Sequence, residues 1–348
     1  MESETSVPTT TLPTRAASLA LARLAARVAQ VREAGLLVVL AVIMVFVGVQ
    51  QPRFLALNNL EQTLQSVAII AIVAVGETLV ILTRNVDLSV GSIVGLSAFT
   101  SADLLKGHPS MSLVFVFLFG CALGALLGAL NGLLIAFGRV PAIVVTLGTL
   151  NIYRGIDFAV AGGHEVSAFE VPQSFLGIAG AYILGIPVLV IIAAVIALLA
   201  AYVLRYSRQG RQLYAIGSNP DAAQVVGIRK ERLIFSAFLL SGALSGFAGV
   251  LWASYFATID SGAATGLELL VIAAVVVGGV AITGGTGSML GAMLGAVVLG
   301  TIQNALGILR IDPFWLQAIY GAAILVAVSL DALVTRQVQR LLVARRVR

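Results

Sequence analysis

The feature that most limits how this chain can fold is the recurrence of apolar stretches of about 18 residues or more. Each is long enough to cross a hydrocarbon core of about 30 Å as a helix. The stretch Leu113–Ala136, for instance, carries no charged side chain. In lipid only helices and closed barrels satisfy every backbone polar group, and continuous apolar runs point to helices where alternating ones would point to barrel strands. Composition closes the soluble alternative: 59% of residues are hydrophobic and 11% charged, about half the charged share of a typical soluble domain. The expected fold class is therefore all-α, a polytopic membrane helical bundle of about ten transmembrane helices. These are expected at residues 35–50, 58–83, 88–105, 112–137, 141–160, 186–206, 233–257, 267–283, 288–308 and 315–334.

Charge placement sets the expected topology. With the N-terminus inside, most of the 21 Lys and Arg residues fall in inward segments, and only Arg53, Lys106, Arg154 and Arg310 fall elsewhere. Both termini are then cytoplasmic. The net charge of +5 reflects topology, and nucleic acid is not an expected partner. Residues 1–34 read as a cytoplasmic tail with a basic, amphipathic, surface-lying segment. Residues 35–335 read as the transmembrane domain, and residues 336–348 as a basic cytoplasmic tail. A cleaved signal peptide is a poor reading of the N-terminus, because the first apolar run begins late and further spans follow. The external loop 161–185 ends in a semi-apolar stretch expected to lie along the surface, and the internal loop 207–232 is the most polar part of the domain.

Small residues and a faint repeat suggest how the helices meet. Gly120, Gly124, Gly128 and Gly132 recur every four residues, and Gly242 with Gly246, and Gly287, Gly291 and Gly295, repeat the device. Such faces let backbones approach closely, in tight bundle packing or at a subunit interface. Asn131-Gly-Leu-Leu-Ile leads to Arg139-Val-Pro141, and Asn304-Ala-Leu-Gly-Ile leads to Arg310-Ile-Asp-Pro313. The two copies are five spans apart, an odd number, which is the pattern of an inverted repeat with a solute path between halves.

The chain lacks the parts for nucleotide chemistry. A phosphate-cradling loop needs Gly-Lys-Ser/Thr, and the lysines are Lys106, after Leu105, and Lys230, after Arg229. The histidines, His108 and His164, form no His-Glu-x-x-His pair, and the one cysteine, Cys121, sits in an apolar run. No enzyme activity, metal or bound cofactor is expected of the chain itself. The loop from Gly210 and Arg211 to Ile228 instead carries a capped helix. Asn219 is the N-cap, Pro220 suits the first helical position, Asp221 complements the dipole and Gly227 stops it, with Ala222 and Ala223 between. A helix of about two turns is too short to be stable alone, so it is expected to dock on a partner, with Gly210 and Gly227 as flexible or sharply turned ends.

Polar groups inside the spans mark the candidate solute path: Glu77, Asn131, Thr149, Tyr153 and Asn304. Glu77 reads equally as a contact to a solute hydroxyl or as a link between helices. For Asn131 and Asn304, helix-to-helix bonding competes with solute contact. Arg154 and Asp157 are spaced for a pair, as are Arg84 and Asp87, and Asp87 also suits an N-cap. Glu268 is expected to be interfacial and solvated.

These stretches resemble permease subunits of the ribose/monosaccharide class of ATP-binding-cassette importers. The likeness rests on the loop 210–228 with Gly76-Glu-Thr-Leu-Val-Ile-Leu-Thr-Arg-Asn-Val-Asp-Leu-Ser-Val-Gly-Ser92, Thr146-Leu-Gly-Thr-Leu-Asn-Ile-Tyr-Arg-Gly155 and Gly266-Leu-Glu-Leu-Leu270 onward, and it covers roughly residues 35–335. The resemblance implies an inner-membrane import subunit for a small sugar or sugar-like solute, pulled through the 207–232 coupling loop by a separate cytosolic ATPase that holds ATP and Mg. It also implies an extracytoplasmic solute-binding protein and a second permease, the same chain or a homologous one. One position departs: where the family commonly has Asp after Glu-Leu, this chain has Leu270. The competing reading is an ion-coupled secondary transporter in which Glu77 carries a proton; a non-transporting scaffold fits the buried polar groups worst.

Overall fold

Apolar side chains drive these segments out of water, and the helix satisfies their backbone internally, so helices make up nearly all of the structure. The computed structural model describes the backbone of residues 15–312 and 314–329, with side chains from residue 33 onward. The expected basic tail at 336–348, and the first residues of the N-terminal one, lie outside the described residues. In chain order the helices are α1 (Arg15–Gln50), α2 (Leu57–Leu82), α3 (Val90–Gly107), α4 (Leu113–Ala136), α5 (Ala142–Ala161), α6 (Gln173–Ala179), α7 (Val188–Tyr206), α8 (Arg208–Ser218), α9 (Pro220–Val225), α10 (Lys230–Phe256), α11 (Leu267–Val277), α12 (Met289–Ile308) and α13 (Trp315–Ser329). Two short strands, β1 (Tyr182–Ile183) and β2 (Ile186–Pro187), form a hairpin before α7.

Among the described residues, seven helices are long and apolar enough to span a membrane: α1 from Glu33, α2, α4, α5, α7, α10 and α12. The other three expected spans are shorter or more polar. α3 ends in Asp103 and Lys106, and α11 is only 11 residues, about 16 Å and half a bilayer. The expected span 267–283 thus stops six residues early. The apolar run continues through Val280–Ile282, but Gly279, Gly284, Gly285 and Gly287 all take positive φ and turn the chain back before α12. The N-terminal tail helix and first span are one continuous helix, α1.

α2 is the axis of the bundle, buried along nearly all of its apolar length, whereas α4, α5 and α7 are mostly exposed. α4 lies against α10 through the predicted glycine face. A methyl added to Gly124 would sit 2.1 Å from the Gly242 carbonyl oxygen, and one on Gly246 would sit 2.0 Å from that of Gly120. Gly291 and Gly295 meet the carbonyls of Gly278 and Ala274 in the same way, joining α12 to α11. Both faces serve packing within the chain.

The helix pairing itself repeats. Matching α1–α5 in order to α7, α10, α11, α12 and α13 turns the α4–α10 contact into α12–α2, α3–α10 into α11–α2, and α3–α4 into α11–α12, all of which are present. The two Arg motifs fall at equivalent turns: Arg139 after α4 has φ +57° and Arg310 after α12 has φ +55°. The external stretch 161–185 lies along the surface and is anchored to the bundle. α6 buries Phe175 and Ala179, Ser254 Oγ on α10 donates to the Phe175 carbonyl at 2.7 Å, and Val166 pairs with Ile259 across a β-bridge.

Gly124→Ala is expected to destabilise the detergent-solubilised protein by about 1–3 kcal/mol, because neither helix backbone can retreat. Gly148→Ala on α5, where nothing lies within 4 Å, is expected to be neutral or slightly stabilising. Thermal unfolding of the pair measures the difference, and equal midpoints would contradict the packing argument.

Candidate functional site

The segment between α2 and α3 leaves helical geometry inside the bundle, so its polar groups need partners from the protein. α2 ends at Leu82, and Arg84 takes φ +67°, a conformation that costs a non-glycine residue about 1–2 kcal/mol. Glu77, fully buried on the last turns of α2, accepts the Asp87 backbone N–H on Oε1 at 3.1 Å. Asp87, also fully buried, accepts from the Ser89 N–H at 2.9 Å and the Ser89 hydroxyl at 2.6 Å, holding the start of α3. Ser89 Oγ in turn accepts from Asn131 Nδ2 on α4 at 2.8 Å. The Tyr153 hydroxyl on α5 donates to the Leu127 carbonyl at 2.9 Å and lies 3.3 Å from Asn131 Oδ1. Thr146 Oγ1 reaches the Val86 carbonyl at 3.2 Å. One polar chain therefore fixes the α2–α3 break to α4 and α5.

Three of the five predicted path residues, Glu77, Asn131 and Tyr153, are brought together in this chain, linked by Asp87 and Ser89. Thr149 sits one turn before Tyr153 and is buried, its hydroxyl directed to the Thr146 carbonyl. Tyr153 is 3% exposed and packs with Ile93, Leu96 and Leu127. Asn304 is elsewhere. It exchanges two amide hydrogen bonds, 3.1 and 3.2 Å, with Asn59 near the start of α2, about 27 Å along that helix from Glu77. Its likeness to Asn131 reflects the repeat and not a shared site. Arg84 does not pair with Asp87, as its spacing allowed, because Asp87 is turned inward by Ser89. Asp87, expected as an N-cap or a partner of Arg84, instead braces Ser89, the N-cap residue of α3, and neither was among the expected path residues.

A second polar cluster packs against the first turns of α3, beside Gly91 and Gly95. Arg154 Nη1 pairs with fully buried Asp157 at 3.6 Å, as the spacing predicted, and donates to the Ala263 carbonyl at 2.7 Å. Glu268 is not a freely solvated carboxylate. Its Oε2 lies so near Gly91 of α3 that a methyl there would come within 2.1 Å of it. Among the described residues no group of three or more His, Cys, Asp or Glu side chains could hold a metal ion.

The internal loop 207–232 contains two helices where one was expected. α8 is capped by Ser207, whose hydroxyl accepts the Gly210 N–H at 2.9 Å. Gly210 is not a flexible end: it lies within α8 because a side chain there would strike the Val203 and Leu204 backbone of α7. Arg211 caps α7 through the Tyr206 carbonyl at 2.9 Å. α9 has the expected design: Asn219 Oδ1 accepts the Ala222 N–H at 3.0 Å, Pro220 opens the helix, and Gly227 ends it at φ +81°. Ala223 is buried beneath it, while Asp221, Ala222 and Gln224 face outward with Val225, 88% exposed, and Val226, 74% exposed.

Besides its packing on α7 and α10, this helix pair is tied by hydrogen bonds to the end of α2 and the turn before α12. Arg84 donates through Nε to the Gly217 carbonyl and through Nη2 to the Ser218 carbonyl at 2.8 Å. The Gly285 N–H donates to the Leu82 carbonyl at 3.1 Å, Ser218 Oγ to the Gly285 carbonyl at 3.3 Å, and the Tyr214 hydroxyl to the Gly287 carbonyl at 3.0 Å. Gly217 is required here, since a methyl on it would lie 2.0 Å from the Leu82 oxygen. The ends of α2 and α8 and the turn before α12 thus close on one another, and Arg84 belongs to the same short turn as Asp87.

A bundle of apolar helices with a small capped helix wired into its internal breaks is the architecture of a transport permease, and comparison with known proteins agrees. Residues 59–328 match the family described as "Branched-chain amino acid transport system / permease component". The chain belongs to this family, the membrane components of ATP-binding-cassette importers, and is a multi-pass inner-membrane protein. It is similar to the autoinducer 2 import system permease protein LsrC of Salmonella typhi, with 36% identity over 309 residues, 89% of this chain and 88% of the relative. The corresponding protein of Enterobacter sp. (strain 638) is 38% identical over 295 residues, 85% of this chain and 84% of the relative. No solved structure matches the chain.

Ser89→Ala is expected to destabilise the protein by about 1–3 kcal/mol, since it strands buried polar atoms of both Asp87 and Asn131. Asn304→Ala, in a half-buried reciprocal pair, is expected to cost less. Thermal unfolding in detergent ranks them, and the reverse order would sink the account of the polar chain.

Proposed function

We propose that this chain carries a small, neutral, sugar-like solute inward across the inner membrane, moved by a separate cytosolic ATPase that presses on α9. The observation that carries this reading is the pair of exposed valines, Val225 and Val226, at the end of a six-residue helix that follows directly on α8, which Arg84 holds to the bundle. An exposed apolar tip on so short a helix fits a partner's groove better than it fits water. Asn219, Pro220 and Asp221 shape the helix, Ala222 lies on its outer side, Ala223 seats it, and Gly210, Arg211 and Gly227 hold its flanks. ATP and Mg belong to the partner ATPase, and both termini of the chain lie on its side of the membrane, the side rich in Lys and Arg.

The opposite face receives solute from an extracytoplasmic binding protein, and a second permease, identical or homologous, completes the membrane unit. The similarity to autoinducer 2 import permeases, and the motifs of the monosaccharide class, support a sugar-like solute over the amino acid that the family's description mentions.

Displacement of α9 reaches the membrane core in two steps. Ser218 and Gly217 pull on Arg84 and Gly285 together, and Arg84 shares its turn with Asp87, which is held by Glu77, Ser89 and Asn131. The ends of α2, α3 and α12 then shift as a unit, the rigid-body change that converts one packed arrangement into another. The match to transport-system permease components supports the ATP-driven reading and not an ion-coupled carrier based on Glu77.

Replacing Val225 and Val226 together by Asp is expected to lower ATP-driven uptake at least tenfold, since burying each valine against a partner is worth about 1.5 kcal/mol or more. Membrane insertion and thermal stability of the variant are expected to be unchanged. Full uptake by this variant, or uphill uptake by the wild-type permease in vesicles without any ATPase, would overturn the proposal.

A further inference from the structure

Between α2, α10, α11, α12 and α13 the bundle holds a cavity of about 190 Å³, far larger than the ~10–15 Å³ that a single water needs. It lies at the end of the bundle opposite α8 and α9, among the C-terminal turn of α10 and the first turns of α11 and α13. Its floor contains Leu270 and Tyr320, 3% and 5% exposed. The Tyr320 hydroxyl is buried without a hydrogen-bond partner. A buried phenol left unpaired costs about 1–3 kcal/mol, which a ligand oxygen in the cavity would recover.

The walls and rim have matching chemistry. Trp252 and Phe256 form one side, their ring centroids 4.4 Å apart. Gln303 on α12 and Gln317 on α13 stand exposed at the rim. Carboxamides on these apolar helices are costly against lipid, so their face is turned to water or to protein. No charged side chain lines the cavity. An aromatic face, two amides and a phenol suit a ring that is apolar on one side and carries hydroxyls at its edge. A zwitterionic or ionic ligand would find no countercharge there.

We infer that this cavity is a binding site for a neutral, hydroxyl-rich ring of monosaccharide class, entered from the face opposite α9. Tyr320 and Gln317 are its hydrogen-bonding residues and Trp252 is its stacking platform. The inference rests on the importer reading for its biological use, but its binding step does not depend on the ATPase. Leu270 keeps the floor apolar and uncharged.

The chain has two tryptophans, Trp252 and Trp315, and Trp315 is 62% exposed. Trp315→Phe in the full-length chain, purified in detergent, therefore leaves Trp252 as the only indole emitter. Titration with ribose, xylose and glucose is expected to give a saturable change in Trp252 emission for at least one sugar, while leucine gives none. Adding Tyr320→Phe, which removes one hydroxyl and keeps the ring, is expected to weaken that binding about three- to tenfold. Gln317→Leu is expected to do the same with the melting temperature unchanged, while Tyr320→Phe, which removes the unpaired hydroxyl, is expected to raise the ligand-free melting temperature. Silence with all three sugars, a response to leucine, or affinities unmoved by either substitution would overturn the site. A failed titration beside ATP-driven uptake that Val225 and Val226 still control would reject this cavity and leave the importer intact; loss of that control beside a sound titration would do the opposite.

Discussion

Backbone that leaves helical form inside a membrane bundle has no water to bond with, and the rest of this structure is arranged around that constraint. The chain departs from helix at 83–89 and again at 278–288, and each departure is satisfied by protein. Glu77 and Asp87 take the N–H groups of the first, and the Leu82 carbonyl takes the Gly285 N–H of the second. Because the two breaks share Leu82, Gly217 and Arg84, neither can be repaired or moved without the other. The α8–α9 pair is attached at that shared point.

Two kinds of helix contact divide the work. Glycine faces join α4 to α10 and α11 to α12 with backbones in van der Waals contact, leaving no slack for relative movement. Polar ties, such as Asn131 to Ser89 and Arg84 to Ser218, are single directional bonds that exchange partners at modest cost. Rigid pairs linked by exchangeable bonds are the physical makings of a two-state machine. The cavity floored by Tyr320 lies toward one end of α2 and the Arg84 junction at the other, so the central helix connects the proposed solute cavity with the proposed coupling helices. The repeat explains why both halves have a part in each: α2 and α10 are its matched members, and both help line the cavity.

The chain itself determined whatever depends on near neighbours. Apolar runs dictated helices in lipid, glycine spacing dictated which faces could touch, and Asn219, Pro220 and Gly227 dictated α9 to within a residue, because capping bonds span only three or four positions. Local reading failed where local hydrophobicity and backbone geometry disagreed. Val280–Ile282 prolong the apolar run after α11, but the glycines around them end the helix. Gly210 looked like a hinge and proved to be a clearance for α7.

Only the tertiary structure decided which polar groups meet. Glu77 finds its partner ten residues on, across a turn of unforeseeable path, while the similar motifs around Asn131 and Asn304 lead to different neighbours, Ser89 and Asn59. The cavity draws on five helices with Ser66 and Tyr320 at its sequence extremes. A hydrogen bond or a cavity depends on distances of a few ångströms, and between residues far apart in the chain those distances are set by how whole helices cross.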